Sequence, residues 1–281
     1  MLIMERIAYK IDRRLPLETF VFIACVSITI SMGFLSDILP IVKKTIDSGY
    51  YNVKYERQKY SLVEEIESAS AEGIVPVIAE IKPSSPTEKE LVKKDEIEKL
   101  INDYGESDAA GISVLTEPVH FKGDITLLKH DFQKPALMKD FILSEKQVGN
   151  GDAVLLIQEF LDLAGVDANE LVDIAHERGL EVVLEVNSLE AFRKAKKTEA
   201  DIIGINNRDL QTLKVDLDTT ASILQKETCD RIIISESGIV TRETVRKLLD
   251  AGVDGVLVGT AILKSADRKK AIDDFVNIDL G

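Results

Sequence analysis

The chain has 281 residues, 45% of them hydrophobic and 30% charged, the proportions of a soluble globular protein whose core is large enough to do without covalent staples. A formal net charge of -14 argues against a nucleic-acid surface, which needs a basic field, but leaves room for a local basic site that takes a small anion. Two distant cysteines, Cys25 and Cys229, match neither a metal-site spacing nor a disulfide framework, which suits a reducing, cytoplasmic location.

The first 31 residues stand apart. "RRLPLETFVFIACVSITISMGF" sets a basic pair before an apolar run from Phe20 to Phe34, like a signal core or a short membrane anchor. The run is short for a span and lacks a small-residue cleavage site. Met32 opens "MGFLSDILPIVKKTI", an amphipathic helical pattern, so a natural start at Met32 is the expectation, with 1–31 an apolar leader outside the natural product. Intact mass of the protein from its native cells tests this: a mass that includes Met1 rejects it. A single domain over 32–281, led by helices at about 35–72, follows.

From there one unit recurs: a short apolar strand, a polar loop, a helical pattern, then Gly or Asp before the next strand. Strands are expected at Val75–Lys82, Gly111–Thr116, Ala136–Phe141, Ala153–Glu159, Glu181–Val186, Ile202–Asn206, Arg231–Ser235 and Gly255–Val258. Their continuous Ile, Val and Leu content is that of parallel strands covered on both faces. "DANELVDIAHERG" carries Asp167 as N-cap, Glu170 three residues on and Gly179 as stop, and "TRETVRKLLDAG" repeats the pattern from Thr241 to Gly252. Alternation of strand and helix gives a parallel sheet, open or closed. Eight units in about 200 residues favour the closed (β/α)8 barrel with an N-terminal helical extension. No GxGxxG follows the first strand, which weakens a dinucleotide-binding alternative.

In such barrels the site lies where strands run into the following loops. Side chains alternate along a strand, so Glu80 and Lys82 share a face at the end of strand 1. Lys139 and Phe141 share one on strand 3, Glu185 and Asn187 on strand 5, Asn206 and Arg208 on strand 6, and Ser235 and Ser237 on strand 7. One polar strand end is ordinary solvation; five at one mouth are not. "SESGI" and "VGTAI" supply small residues, hydroxyls and backbone N–H groups, the makings of a phosphate site. The lysines and Arg208 fit further anionic groups, and the glutamates supply acid or base. The carboxylates are too mingled with lysine for a cation site, so neither metal nor cofactor is expected. His120, His130 and His176 form no ligand set and are expected to be solvated.

Taken together, "AEIKPSSP", "SVLTEPVHFKGD", "PALMKDFI", "LEVN", "IGINNRDL", "SESGI" and "VGTAI" resemble, in this order, the indole-3-glycerol-phosphate synthase family over about Leu35 to Ala266. Residues 1–31 have no counterpart in it. The resemblance implies a decarboxylating lyase of tryptophan biosynthesis that converts 1-(2-carboxyphenylamino)-1-deoxyribulose 5-phosphate to indole-3-glycerol phosphate. It implies Lys139 as general acid, Lys82 against the benzoate carboxylate, and Glu185 with Glu80 for charge stabilisation and proton handling. Asn206 and Arg208 would position substrate. Ser237, Gly238, Gly259 and Thr260 would hold the phosphate with help from Ser85, and Leu115, Phe121 and Phe141 would wall the aromatic ring. The chain departs from the family's habit at Met138, Asn187 and Thr87, and in the polar pair Gln158 and Glu159 at the end of strand 4, which puts the shape of the ring pocket in question.

Two other readings stand beside this one. A phosphate-binding isomerase barrel would rely on an Asp or Cys base rather than this Lys–Glu set. A membrane-tethered, non-catalytic barrel has only the apolar leader in its favour. The expected partner is a phosphorylated small molecule, with no nucleic acid, no membrane unless the leader is real, and a monomer favoured.

Overall fold

A computed structural model describes residues 33–279. The apolar leader and the expected start at Met32 lie outside the described residues. Eight parallel strands close into one barrel in chain order: β1 Val77–Ile81, β2 Gly111–Leu115, β3 Ala136–Lys139, β4 Ala153–Ile157, β5 Glu181–Val186, β6 Ile202–Asn206, β7 Ile232–Glu236 and β8 Gly255–Val258. β8 pairs back to β1 through Val77↔Val256 and Ile78↔Leu257. Several predicted strands were too long. β3 stops at Lys139 rather than Phe141, and β4 stops at Ile157 because Gln158 and Glu159 already open a helix. β7 runs one residue past Ser235, to Glu236.

The strands read as unbroken apolar runs because each face has its own core. Inward residues such as Ile78, Leu137, Leu155, Val183, Ile202, Ile234 and Leu257 fill the barrel. Outward residues such as Val77, Ile112, Met138, Val154, Val182 and Ile203 pack under the outer layer. Each fully buried aliphatic side chain contributes about 1.5–3 kcal/mol, so this double burial dominates the stability of the scaffold.

The helices are α1 Phe34–Asp47, α2 Leu62–Ala71, α3 Ile97–Gly105, α4 Gln158–Ala164, α5 Ala168–Glu177, α6 Leu189–Ala195, α7 Asp218–Leu224, α8 Arg242–Asp250, α9 Thr260–Leu263 and α10 Arg268–Val276. The predicted caps lie at their ends: Asp167 accepts from the Asn169 N–H (3.0 Å) and Thr241 from the Thr244 N–H (3.1 Å). A helix in every crossover was expected, but those after β2 and β3 contain only the short 3-10 turns Ile125–Lys129 and Glu145–Gln147. The arm joining α1 to α2 packs there instead. Tyr51 donates to Asp140 (3.0 Å), Asn150 bonds the Tyr55 N–H and the Val53 carbonyl (both 3.0 Å), and Lys59 donates to the Gly151 carbonyl (2.6 Å).

α1 and α2 sit at opposite ends of the barrel. Leu35, Ile38 and Val42 of α1 join the interior core, and Phe34 meets His120, Phe121 and Phe141 edge-on beside the mouth. At the floor, Glu181 at the start of β5 accepts from the Ser61 hydroxyl (2.5 Å) and the N–H groups of Leu62 (2.7 Å) and Val63 (3.2 Å), capping α2. Among the described residues no helix is long and apolar enough to cross a membrane.

Candidate active site

One cavity of about 280 Å³ opens at the C-terminal ends of the strands. Every residue given a catalytic or binding role lines it: Glu80, Lys82, Ser85, Leu115, Phe121, Lys139, Phe141, Glu185, Asn206, Arg208, Ser237, Gly238, Gly259 and Thr260. Strand alternation brings Glu80, Leu115, Lys139, Glu185 and Asn206 there, since inward residues near a strand's end reach the mouth, and the segments that follow the strands supply the others.

At its centre is Lys139, the last residue of β3. Its ammonium donates to Glu185 Oε2 (2.9 Å) and to Glu236 Oε2 (2.5 Å). Burial opposes its charge, but Glu185, Glu236 and Glu80 outweigh burial and raise the ammonium's pKa above the ordinary lysine value. On β1, Lys82 pairs with Glu80 at 2.6 Å. Burial works to raise the Glu80 pKa, but Lys82 and then Lys139 prevail and hold it below the usual carboxylate range. Asn206 donates to Glu185 Oε1 (2.8 Å), which fixes the carboxylate, and accepts from the Arg208 backbone N–H (2.8 Å). Gly259 allows β8 to pass close to β1, because a Cβ there would collide with the Glu80 carboxylate.

Sequence reasoning missed Glu236. Alternation from Ile234 would have found it, but Ser235 had been paired with Ser237 on the inward face. Ser235 instead points outward, fully buried against Asn207 and Thr220. Ser237 still reaches the mouth because its φ of 68° is left-handed and breaks the period-two pattern. Burial raises the Glu236 pKa to about 7, with Lys139 opposing and Glu185 adding to the rise. Its Oε1 is buried without a hydrogen-bond partner and faces Gly204, where a Cβ would lie 2.5 Å away.

Across from these charges lies an apolar wall. Phe141 packs against Phe121 (6.0 Å between centroids) and edge-on against Phe160 (5.2 Å), with Leu155, Ile157 and Leu257 below. Two buried carboxylates hold the wall from behind. Glu117 accepts the N–H groups of Val119 (2.8 Å), His120 (2.7 Å) and Phe121 (2.8 Å), setting the loop after β2. Asp140 accepts from Thr116 Oγ1 (2.6 Å), Tyr51 (3.0 Å) and the Phe141 N–H (2.7 Å), and the Thr116 N–H bonds the Lys139 carbonyl (3.0 Å). Burial pushes the Asp140 pKa up to about 6 against those hydrogen bonds.

Other expectations need correcting. His120 is not solvated: it is half-buried, edge-on to Phe34 at 5.5 Å. His176 is exposed, as expected, but bonds Asp201 at 2.9 Å. Asn187 does not join Glu185 at the mouth; it donates to the Asn206 carbonyl (2.6 Å) from outside the cavity. Of the departures from the family's habit, Thr87 alone lines the cavity, and Met138 is buried on the outer face of β3. Among the described residues no group of three or more His, Cys, Asp and Glu side chains is placed to hold a metal ion.

The comparisons with known proteins agree with one another. A family model described as indole-3-glycerol phosphate synthase matches residues 41–275. An indole-3-glycerol phosphate synthase of Halobacterium salinarum is 41% identical over 213 residues, 74% of this chain and 83% of the relative. One of Haloarcula marismortui is 42% identical over 209 residues, 72% of this chain and 77% of the relative. Among solved structures, an N-acetylmannosamine-6-phosphate 2-epimerase of Clostridium perfringens shares the fold alone, with a TM-score of 0.52 at 16% identity over 74% of this chain and 93% of that one. With its barrel, its charged mouth and these relatives, the chain belongs to the indole-3-glycerol phosphate synthase family.

Proposed function

We propose that the chain converts 1-(2-carboxyphenylamino)-1-deoxyribulose 5-phosphate to indole-3-glycerol phosphate, carbon dioxide and water, a step of tryptophan biosynthesis. The observation that carries this reading is Lys139 held between Glu185 and Glu236, facing an aromatic wall. The phosphate lies on Ser237, Gly238, Gly259 and Thr260, with Ser85 beside them. The anthranilate ring lies on Leu115, Phe121 and Phe141, and Lys82 meets its carboxylate. This clamp brings the ring carbon that bears the carboxylate against the ribulose carbonyl.

As that carbon attacks, the arylamine nitrogen donates its electron pair and the carbonyl oxygen takes a proton from Lys139. The high pKa of Lys139 keeps this proton in place until negative charge develops on the oxygen. Carbon dioxide then leaves, and its bonding electrons neutralise the iminium. Expulsion of the new hydroxyl as water needs a proton donor, and closing the indole needs a base to remove a proton from the carbon beside nitrogen. Glu185 stabilises the cationic nitrogen between these steps. Glu80 and Glu236 handle the protons, and Glu236, with a pKa of about 7, can both give and accept one near neutrality. Asn206 and Arg208 hold the substrate's hydroxyls and orient Glu185.

Incubating the protein with the carboxyphenylamino-deoxyribulose phosphate and following indole fluorescence tests the reading. Folded protein without turnover on that substrate would reject it.

A further inference from the structure

Asn207 lies between two residues of the cavity, Asn206 and Arg208, yet faces away from it and is 0% exposed. Its side chain is fully engaged. Nδ2 donates to Ser235 Oγ (3.0 Å) and to the Ser237 carbonyl (3.2 Å), and Oδ1 accepts from the N–H (3.2 Å) and the hydroxyl (2.8 Å) of Thr220. Its backbone joins the same elements: its N–H donates to the Glu236 carbonyl (2.9 Å), and its carbonyl accepts from the Asp216 N–H (2.8 Å).

The segment it grips is strained. Ser237 and Gly238 have φ values of 68° and 77°, and a non-glycine residue in that region costs on the order of 1–3 kcal/mol unless its surroundings hold it there. The loop after β6 also rests directly on Gly238, where a Cβ would lie 2.6 Å from Val215 and 2.9 Å from Leu217. Arg208 braces that loop by donating to the Leu213 carbonyl (2.9 Å).

We infer that Asn207 is the positioning residue of the phosphate subsite, holding Ser237 in the left-handed turn that presents Ser237 and Gly238 to the anion. It touches no substrate. The inference rests on the proposed function only in taking the mouth to bind a phosphorylated ligand. If Asn207 serves ground-state binding of the phosphate, its loss raises KM and leaves kcat nearly unchanged.

The test uses the full chain with Asn207→Leu, which keeps the volume and loses the side-chain hydrogen bonds, and Asn207→Ser, which carries the test if the leucine variant does not fold. For each, KM and kcat are measured on the carboxyphenylamino-deoxyribulose phosphate, and the affinities for inorganic phosphate and for anthranilate are measured separately by calorimetry. The expected result is a rise of about ten- to a hundredfold in KM and in the phosphate Kd, the scale of one hydrogen bond to a charged group. kcat should stay within about threefold and anthranilate affinity within about twofold, the small changes left when phosphate binding alone is weakened. A folded variant that binds phosphate like the parent overturns the inference, as does one that loses phosphate and anthranilate affinity together. A parent chain that binds phosphate without turnover overturns the proposed function and leaves the phosphate measurement to decide this inference. A parent that binds no phosphate overturns this inference, and its turnover decides the proposed function separately.

Discussion

The two ends of the barrel handle buried charge in opposite ways. At the floor, acidic side chains are answered by backbone N–H groups, the Ser61 hydroxyl and Arg57, although Arg57 itself keeps buried nitrogens without a hydrogen-bond partner. Glu181 caps α2 with three hydrogen bonds. Asp152, 2% exposed, accepts from the N–H groups of Ala136 (2.8 Å) and Tyr60 (3.3 Å) and pairs with Arg57. At the mouth, Glu80, Glu185 and Glu236 crowd around two lysines, and Glu236 keeps an oxygen without a partner. Satisfied groups stabilise a fold. Partly satisfied ones cost stability and stay ready to exchange protons. Mutations should therefore separate the ends: the floor governs stability, the mouth turnover.

The largest expected effect is at the mouth. Lys139→Ala should lower kcat by at least about two orders of magnitude, the scale of a lost general acid, with the fold intact by circular dichroism. Near-normal turnover would remove Lys139 from the mechanism. At the floor, Glu181→Ala should destabilise the protein by about 2 kcal/mol, the value of a lost helix cap and its hydrogen bonds, measured by urea unfolding. Its kcat should be nearly that of the parent at a temperature where both are folded. An equal loss of kcat and stability would mean that the two ends are coupled.

Glu236→Gln should weaken turnover and strengthen the fold at once. Glu236 has a folded pKa of about 7, above its unfolded value, so the folded state binds the extra proton. Its contribution to stability is present below the unfolded carboxylate range and is lost as pH rises to about 7. A neutral glutamine avoids that loss. The variant should melt about 3 °C higher than the parent at pH 8, the shift expected of about 1 kcal/mol in a chain of this size. The two should converge near pH 4.5, the ordinary value of a glutamic acid. A lower melting temperature at pH 8 would show that the pairing with Lys139 outweighs burial. The smallest effect is expected from Thr87→Ser, which leaves a hydroxyl at the cavity edge and should change KM by less than about threefold, a binding difference below 1 kcal/mol. A larger change would make Thr87 a determinant of the pocket.

Much of this was legible in the sequence. Inward positions such as Glu80, Lys139, Glu185 and Asn206 follow from counting by two, because strand geometry is local and regular. Continuous apolar runs imply burial on both faces, and eight such runs with short connections imply closure. Asp167 and Thr241 announced their helix ends because capping involves only near neighbours. Tertiary structure decided what depends on partners distant in the chain or on broken periodicity. Ser237 reaches the mouth through a left-handed turn that no alternation rule anticipates, and that turn concealed Glu236. The missing helices after β2 and β3 are replaced by an arm whose tyrosines find their partners 66 and 89 residues further on. Ionisation is likewise a tertiary property. Glu80 falls below and Glu236 rises above the ordinary carboxylate range, because the balance of burial and neighbouring lysines differs between two otherwise identical side chains.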